Sequence, residues 1–323
     1  MPSHAIIKSL LFLGTGSVLH ATGERNLGRL GGLILQMPHV AILVLIGTLA
    51  IAGVPLLNGF VAEWLLLQAF LFSPKLPTPY LTMLIPVVAA LFVLTMGLAA
   101  YVMVKFYGII FLGKPRESNL SHENKGNIWE HLGLGWLAIC CIVFGLFPSL
   151  ILNPIMALVA SLVKIPSSLL NNESSWLLLA PVSISKASYS PILLLSSIVV
   201  VFILIYAIIR WLYHGKVRRS FPWDGGFSLQ TSRMQDTAEG FGQPIKTLFA
   251  PFLQIQLEVP SASDQQPHYH MHSQDRFWHV LYIPMVRGIM WCARMVSKLQ
   301  QGRISLYLLY SFLTLLILLG VVL

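Results

Sequence analysis

Residues 37–72, MPHVAILVLIGTLAIAGVPLLNGFVAEWLLLQAFLF, decide the fold. From His39 to Ile51 the residues are apolar on all sides, as a bilayer-buried helix requires, and then Gly53, Pro55, Asn58 and Gly59 fall within seven positions. That cluster predicts an interruption of the helix. The chain resumes at Phe60 as a second apolar half-helix whose polar residues are Glu63 and Gln68, so Glu63 falls about one turn inside it. A carboxylate at membrane depth is costly and marks a functional site by default.

Composition supports a membrane setting for this stretch. The chain has 323 residues, 56% of them hydrophobic and 10% charged, with a mean hydropathy of +0.74. An ordinary soluble domain carries roughly 25% charged residues. The net charge of +9 does not point to nucleic acid, because the basic residues lie between apolar runs and no nucleic-acid-binding motif accompanies them. Cys140 and Cys141 lie inside an apolar run and Cys292 is alone, which gives no cluster-ligand spacing and no disulfide framework. No metal, redox centre or other cofactor is expected, and His4 and Lys8 in the first apolar run argue against a cleavable signal peptide.

The expected fold class is all-α: a polytopic helical membrane protein with about six spans, the broken helix over 39–72 counted once. The first helix is predicted over 5–20, some 16 residues, short of the ~20 that cross the hydrocarbon core. Further spans are predicted over 80–104, 132–152, 191–212 and 304–323, with 153–164 extending the fourth or lying along the surface. Residues 1–213 therefore form a membrane domain, 214–303 an extramembrane basic segment, and 304–323 a C-terminal transmembrane helix. Within 276–299 the apolar Phe277, Trp278, Leu281, Met285, Ile289 and Val296 alternate with Arg287, Arg294 and Lys298. That pattern suits an amphipathic helix lying on the lipid bilayer surface or packed on a partner protein. Alternate loops are unequal in charge: one side carries Arg25, Arg29, Lys105, Lys114, Arg116, Lys125 and the 214–303 segment, the other only Lys75, Lys164 and Lys186. The positive-inside rule places the first set in the cytoplasm and the C-terminus outside.

Few ionisable residues lie inside the predicted spans. His4 and Lys8 are four apart on one helix face, a spacing that lets a proton pass between them directly or through one water. The alternative is that both snorkel into water near a helix end. At Glu63 a half-helix N-terminus favours an anion while burial favours the neutral acid, so the residue is poised to exchange protons. The alternative there is a carboxylate satisfied by Asn58, Gln68 or the half-helix N-terminus, serving packing alone. His268, His270 and His272 have a spacing that a strand would turn into a metal site, but a polar loop is the preferred reading. Asp224 and Asp236 read as turn and capping residues.

The segments SHAIIKSLLFLGTGSVLHATG, LGRLGGL and GTLAIAGVPLLNGFVAEWLLL, in that order, resemble the second half of the antiporter-like, proton-conducting membrane subunits of respiratory complex I, multisubunit cation/proton antiporters and membrane-bound hydrogenases. PWDGGF, TSRMQDTAEGFGQPI and LQQGRISLYLLY look more narrowly like the branch formed by hydrogenase-4 B-type and formate hydrogenlyase subunit-3-type subunits. The resemblance implies the second inverted repeat of that fold, with Lys8 and His4 matching the family's HAxxK motif and Glu63 matching the ionisable residue after its broken helix. Gly53, Pro55, Asn58 and Gly59 match the helix break. It further implies proton movement driven by electron transfer in other membrane subunits of a hydrogenase or NADH-dehydrogenase-like complex, in a bacterial inner membrane. The chain itself would be a non-catalytic subunit of such an oxidoreductase. The family's first repeat has no counterpart in the sequence, which leaves three expectations open: a fragment, one product of a split gene whose partner is a separate chain carrying that repeat, or a degenerate remnant. The competing functions are a non-conducting scaffold or truncated remnant, and a subunit of a Na⁺/H⁺ antiporter.

Overall fold

The computed structural model describes residues 2–71, 78–117, 127–163, 189–213, 220, 225–226, 231–232, 234–261, 263–265, 269–299, 302 and 304–322. The described residues are mostly helical, with one two-stranded sheet, and cluster into two units, 1–241 and 242–323. In the first unit lie α1 (Pro2–Thr22), α2 (Pro38–Ile51), α3 (Asn58–Leu71), α4 (Pro79–Phe111), α5 (Ile128–Leu146), α6 (Ser149–Val163) and α7 (Pro191–Leu212). Helix α8 (Ala238–Leu248) begins at its end. The protein is a multi-pass membrane protein. Five helices, α1, α4, α5, α7 and α10 (Ile304–Val322), are long and apolar enough to cross a bilayer, and α2 with α3 forms the broken helix between them.

The core is built where α1, α2 and α5 meet. Leu10 and Leu11 of α1, Val40, Ala41 and Val44 of α2, and Leu134, Ala138 and Cys141 of α5 are all buried. Small residues make the approach possible: a Cβ on Gly14 would strike Val44, one on Gly47 would meet Leu10 and Leu11 at 3.1 Å, and one on Gly59 would overlap the Ala50 carbonyl oxygen. Such small-residue contacts drive helix association in lipid, where apolar surfaces gain nothing by leaving a solvent as apolar as themselves.

Three boundaries differ from the sequence expectation. Helix α1 has 21 residues rather than 16, enough to span, because Pro2 to His4 and Ala21 to Thr22 continue it at its two ends. It ends at Gly23, whose φ of +68° and N–H bond to the Leu19 carbonyl, 2.8 Å, close the last turn. Helix α4 continues past Lys105 to Phe111 and stops before Gly113, at φ +78°. The span expected over 132–152 is two helices: Pro148 bars the α-helical conformation from Phe147, which has φ −122° and ψ 66°, and α6 starts afresh at Ser149.

The two basic loops expected on one membrane side do meet. Arg116 donates to the Gly28 carbonyl at 3.3 Å and Arg29 pairs with both Glu24, at 3.2 Å, and Glu117, at 3.5 Å. Glu24 also accepts from the Asn26 and Arg25 N–H groups, each at 2.8 Å, and the Asn26 bond leads the effects that hold its carboxyl below the usual range. Segment 234–241 is strapped over the same end of α4: the Gln235 side chain accepts from the Lys114 N–H at 2.8 Å and donates to the Lys114 carbonyl at 2.9 Å, and Tyr101 donates to the Phe241 carbonyl.

In the second unit, β1 (Leu253–Glu258) pairs antiparallel with β2 (His270–Asp275), Leu253 opposite Asp275 and Glu258 opposite His270. The polar loop expected around His270 and His272 is thus a strand, and His268 lies outside the described residues. A π-helical turn, Trp278–Tyr282, leads into α9 (Ile283–Leu299), which falls within the expected amphipathic stretch, and α10 follows.

The packing at Gly59 generates a contrast. Gly59→Ala forces a methyl into the Ala50 carbonyl and is expected to cost about 1–3 kcal/mol. Gly97→Ala, where nothing lies within 4 Å, is expected to leave stability equal or slightly raised. Thermal unfolding in detergent micelles distinguishes them.

Candidate functional site

The backbone between α2 and α3 leaves no N–H unaccounted for. Helix α2 ends in a Schellman motif: the Gly53 N–H bonds the Ala50 carbonyl at 3.3 Å, the Val54 N–H bonds the Leu49 carbonyl at 3.1 Å, and Gly53 holds the required left-handed conformation at φ +71°. The Ala52 N–H bonds Thr48 at 3.0 Å and the Leu57 N–H bonds Val54 at 3.4 Å. Pro55 has no N–H. The Leu56 N–H donates to the Tyr189 hydroxyl at 3.3 Å, the one partner drawn from a distant part of the chain. Leu56 is itself left-handed at φ 78°, a strain on the order of 1–3 kcal/mol for a non-glycine residue. It is held there by Tyr189 on one side and by Gly145 of α5, where a Cβ would collide with the Leu56 carbonyl. The Tyr189 ring packs on Phe60, 5.1 Å between centroids, and on Trp64, 5.7 Å.

This break places Glu63. Its half-buried carboxylate folds back so that Oε2 occupies the space a Cβ on Gly53 would need. Gly53 is therefore required twice, for its φ and for that approach. Among the described residues neither Asn58 nor Gln68, two of the three partners the packing alternative names, bonds Glu63 Oε2. Asn58, only 1% exposed, donates to the Ser3 carbonyl of α1 at 3.5 Å. Asn58 Oδ1, Glu63 Oε2 and Gln68 Oε1 are buried without a partner among the described residues. They repeat every five residues, about 7.5 Å of helix rise, and each orphaned acceptor costs about 1–3 kcal/mol in a merely structural role.

The structure does not bring the predicted site residues into one bonded set. His4 and Lys8 stand on α1, and among the described residues no hydrogen bond or ion pair joins them to Glu63. Ile7, between them, reaches within 3.5 Å of where a Gly59 Cβ would stand, so the start of α1 adjoins the start of α3. His272 meets the Gln274 amide nitrogen at 2.9 Å and His279 meets the Gln274 carbonyl oxygen at 3.0 Å. No three metal-ligating side chains converge among the described residues. Asp224 lies outside them, and it is Thr237 rather than Asp236 whose side chain caps α8, accepting from the Gly240 N–H at 3.0 Å.

Glu130 and His131 escape the sequence reading, which runs a polar loop up to His131. Both lie in the first turn of α5, capped by Asn127, whose side chain accepts from the Trp129 N–H at 3.4 Å. The Asn-x-x-Glu spacing at 127–130 is the capping-box signal that marks this start.

Residues 1–92 match the model for the transmembrane part of NADH:quinone oxidoreductase/Mrp antiporter proteins. That segment, which holds α1, the break and Glu63, is similar to this family. Formate hydrogenlyase subunit 3 of Escherichia coli (strain K12) is 31% identical over 78% of this chain and 39% of its own length. Hydrogenase-4 component B of the same organism is 27% identical over 98% of this chain and 48% of its own. A probable K(+)/H(+) antiporter subunit of Rhizobium meliloti (strain 1021) is 31% identical over 48% of this chain and 15% of its own. The chain thus spans less than half the length of each of these relatives.

Tyr189→Phe keeps the ring packing on Phe60 and Trp64 but removes the acceptor for the Leu56 N–H. The expected loss is about 1 kcal/mol of stability, with faster amide exchange at Leu56. Exchange unchanged from the parent would show that the break does not depend on this bond.

Proposed function

We propose that the chain is a proton-translocating membrane subunit of a hydrogenase-4 or formate-hydrogenlyase type complex, in which electron transfer in partner subunits drives proton movement through Glu63. The observation that carries this reading is the break itself: it spends a left-handed glycine, a strained Leu56 and a borrowed tyrosine hydroxyl to hold one carboxylate at the centre of an apolar span. Unwound backbone of this kind lines ion sites in transporters. Glu63 takes up and releases the proton; Lys8 and His4, near the start of the same three-helix core, are the neighbouring carriers. Asn58 and Gln68, with unpartnered oxygens along α3, offer acceptors to a hydrated path beside it. The hydrogenase-type relatives match over most of the chain and the antiporter over about half, which favours the redox-driven reading over cation/proton exchange. The basic loops at the Arg29 and Arg116 end face the cytoplasm across a bacterial inner membrane, and the face of α9 rests on its lipid surface. The scaffold reading draws on the separation of Lys8 from Glu63.

Glu63→Gln in the intact complex, reconstituted in vesicles and supplied with its electron donor, is expected to lower proton uptake about 100-fold while leaving assembly intact. Uptake equal to the parent's would favour the scaffold.

A further inference from the structure

A second cluster of protonatable groups lies at the opposite end of the helical core from Glu63. Helices α1 and α5 run antiparallel, so that Ser17 of α1 bonds Glu130 of α5, while Gly145, fifteen residues and roughly 22 Å of helix rise further along α5, packs on the break. His131 follows Glu130 and its ring stands edge-on to His39 of α2, 6.4 Å between centroids. The Nδ1 of His131 is buried and has no partner among the described residues. His20 stands in the last turn of α1 at the same end.

The hydrogen bonding around Ser17 admits both states of Glu130. Ser17, only 4% exposed, has one hydroxyl hydrogen and two acceptors in reach, the Glu130 carboxylate and the Leu13 carbonyl at 3.1 Å. It cannot donate to both. When Glu130 is ionised, Ser17 donates to it, and the Leu13 carbonyl keeps its place in the helix ladder. When Glu130 is protonated, it donates to Ser17 Oγ, whose own hydrogen turns to Leu13. Neither state leaves a buried orphan, so gaining or losing the proton costs no rearrangement beyond one hydroxyl rotation. His131 and His39 extend the set with two imidazoles, edge to face, each carrying a ring nitrogen able to hold or pass a proton.

We propose that Glu130, switched by Ser17 and continued by His131 and His39, is a proton-loading site at the end of the core that carries the basic loops. It rests on the reading of the chain as a proton carrier, and it supplies protons from that side of the membrane. At this end of the core the titratable groups on the elements packed about it are His20 on α1, His39 on α2 and His131 on α5, and Glu24, Arg25 and Arg29 follow in the α1–α2 connection; His4 and Lys8 of α1 and Cys140 and Cys141 of α5 lie further along toward the break.

Two readouts separate this inference from the role of Glu63. In pH-difference infrared spectra of the purified complex, a carboxylic-acid carbonyl band is expected that vanishes in Glu130→Gln and shifts in Ser17→Ala. In vesicles, Glu130→Gln is expected to slow proton uptake on the order of tenfold or more, most at alkaline pH, with recovery in Glu130→Asp. A titration without a Glu130-dependent band overturns the loading site whatever the transport result. Parent-like uptake across the pH range in Glu130→Gln, in a preparation where Glu63→Gln stops uptake, overturns it as well. A parent complex that moves no protons overturns the transport reading and, with it, the supply role of this site.

Discussion

The six residues Ala52 to Leu57 carry the chain across an interruption that a bilayer punishes, since every unpaired backbone group in hydrocarbon costs several kcal/mol. The structure meets that constraint donor by donor. Three N–H groups turn back to α2, one is satisfied within the turn, one position is proline, and the Leu56 N–H alone reaches a side chain from beyond the neighbouring helices, the Tyr189 hydroxyl. Much of the surrounding packing serves this: Gly145 lets α5 close on Leu56, Gly59 lets α3 start against Ala50, and Asn58 ties the start of α3 to Ser3.

From that constraint the candidate site follows. A left-handed Gly53 has no side chain, and the vacant space is taken by the Glu63 carboxylate. A carboxylate one turn into a half-helix needs a polar neighbour or a reason to be there. Here its Oε2 has neither donor nor counter-ion among the described residues. Glu130, by contrast, has a partner suited to either state. The two carboxyls thus divide the core between them, one at the break and one at the basic-loop end.

The break is legible in the sequence because its signals are local: Gly53, Pro55, Asn58 and Gly59 in seven positions, between apolar runs too uniform to be anything but buried. The amphipathic stretch near 283–299 is legible for the same reason. The boundaries are less so. Helix α1 reads short because the polar His4 and His20 near its ends resemble limits, although the helix runs through both. Glu130 escapes because spans are found by apolarity, and a capped first turn is polar by design. Tyr189 has no signal at all, since its partner is 133 residues away and nothing in the spacing announces a hydroxyl aimed at an orphaned N–H.

Reaction of Glu63 with a hydrophobic carbodiimide bears most directly on its role as the titrating group, because that reagent attacks protonated carboxyls in apolar surroundings. An adduct on Glu63, located by mass spectrometry, is expected to accumulate faster as the pH is lowered and to stop proton movement in step with labelling. Labelling confined to surface carboxylates such as Glu24 and Glu117, with Glu63 unmodified at every pH, would overturn that role.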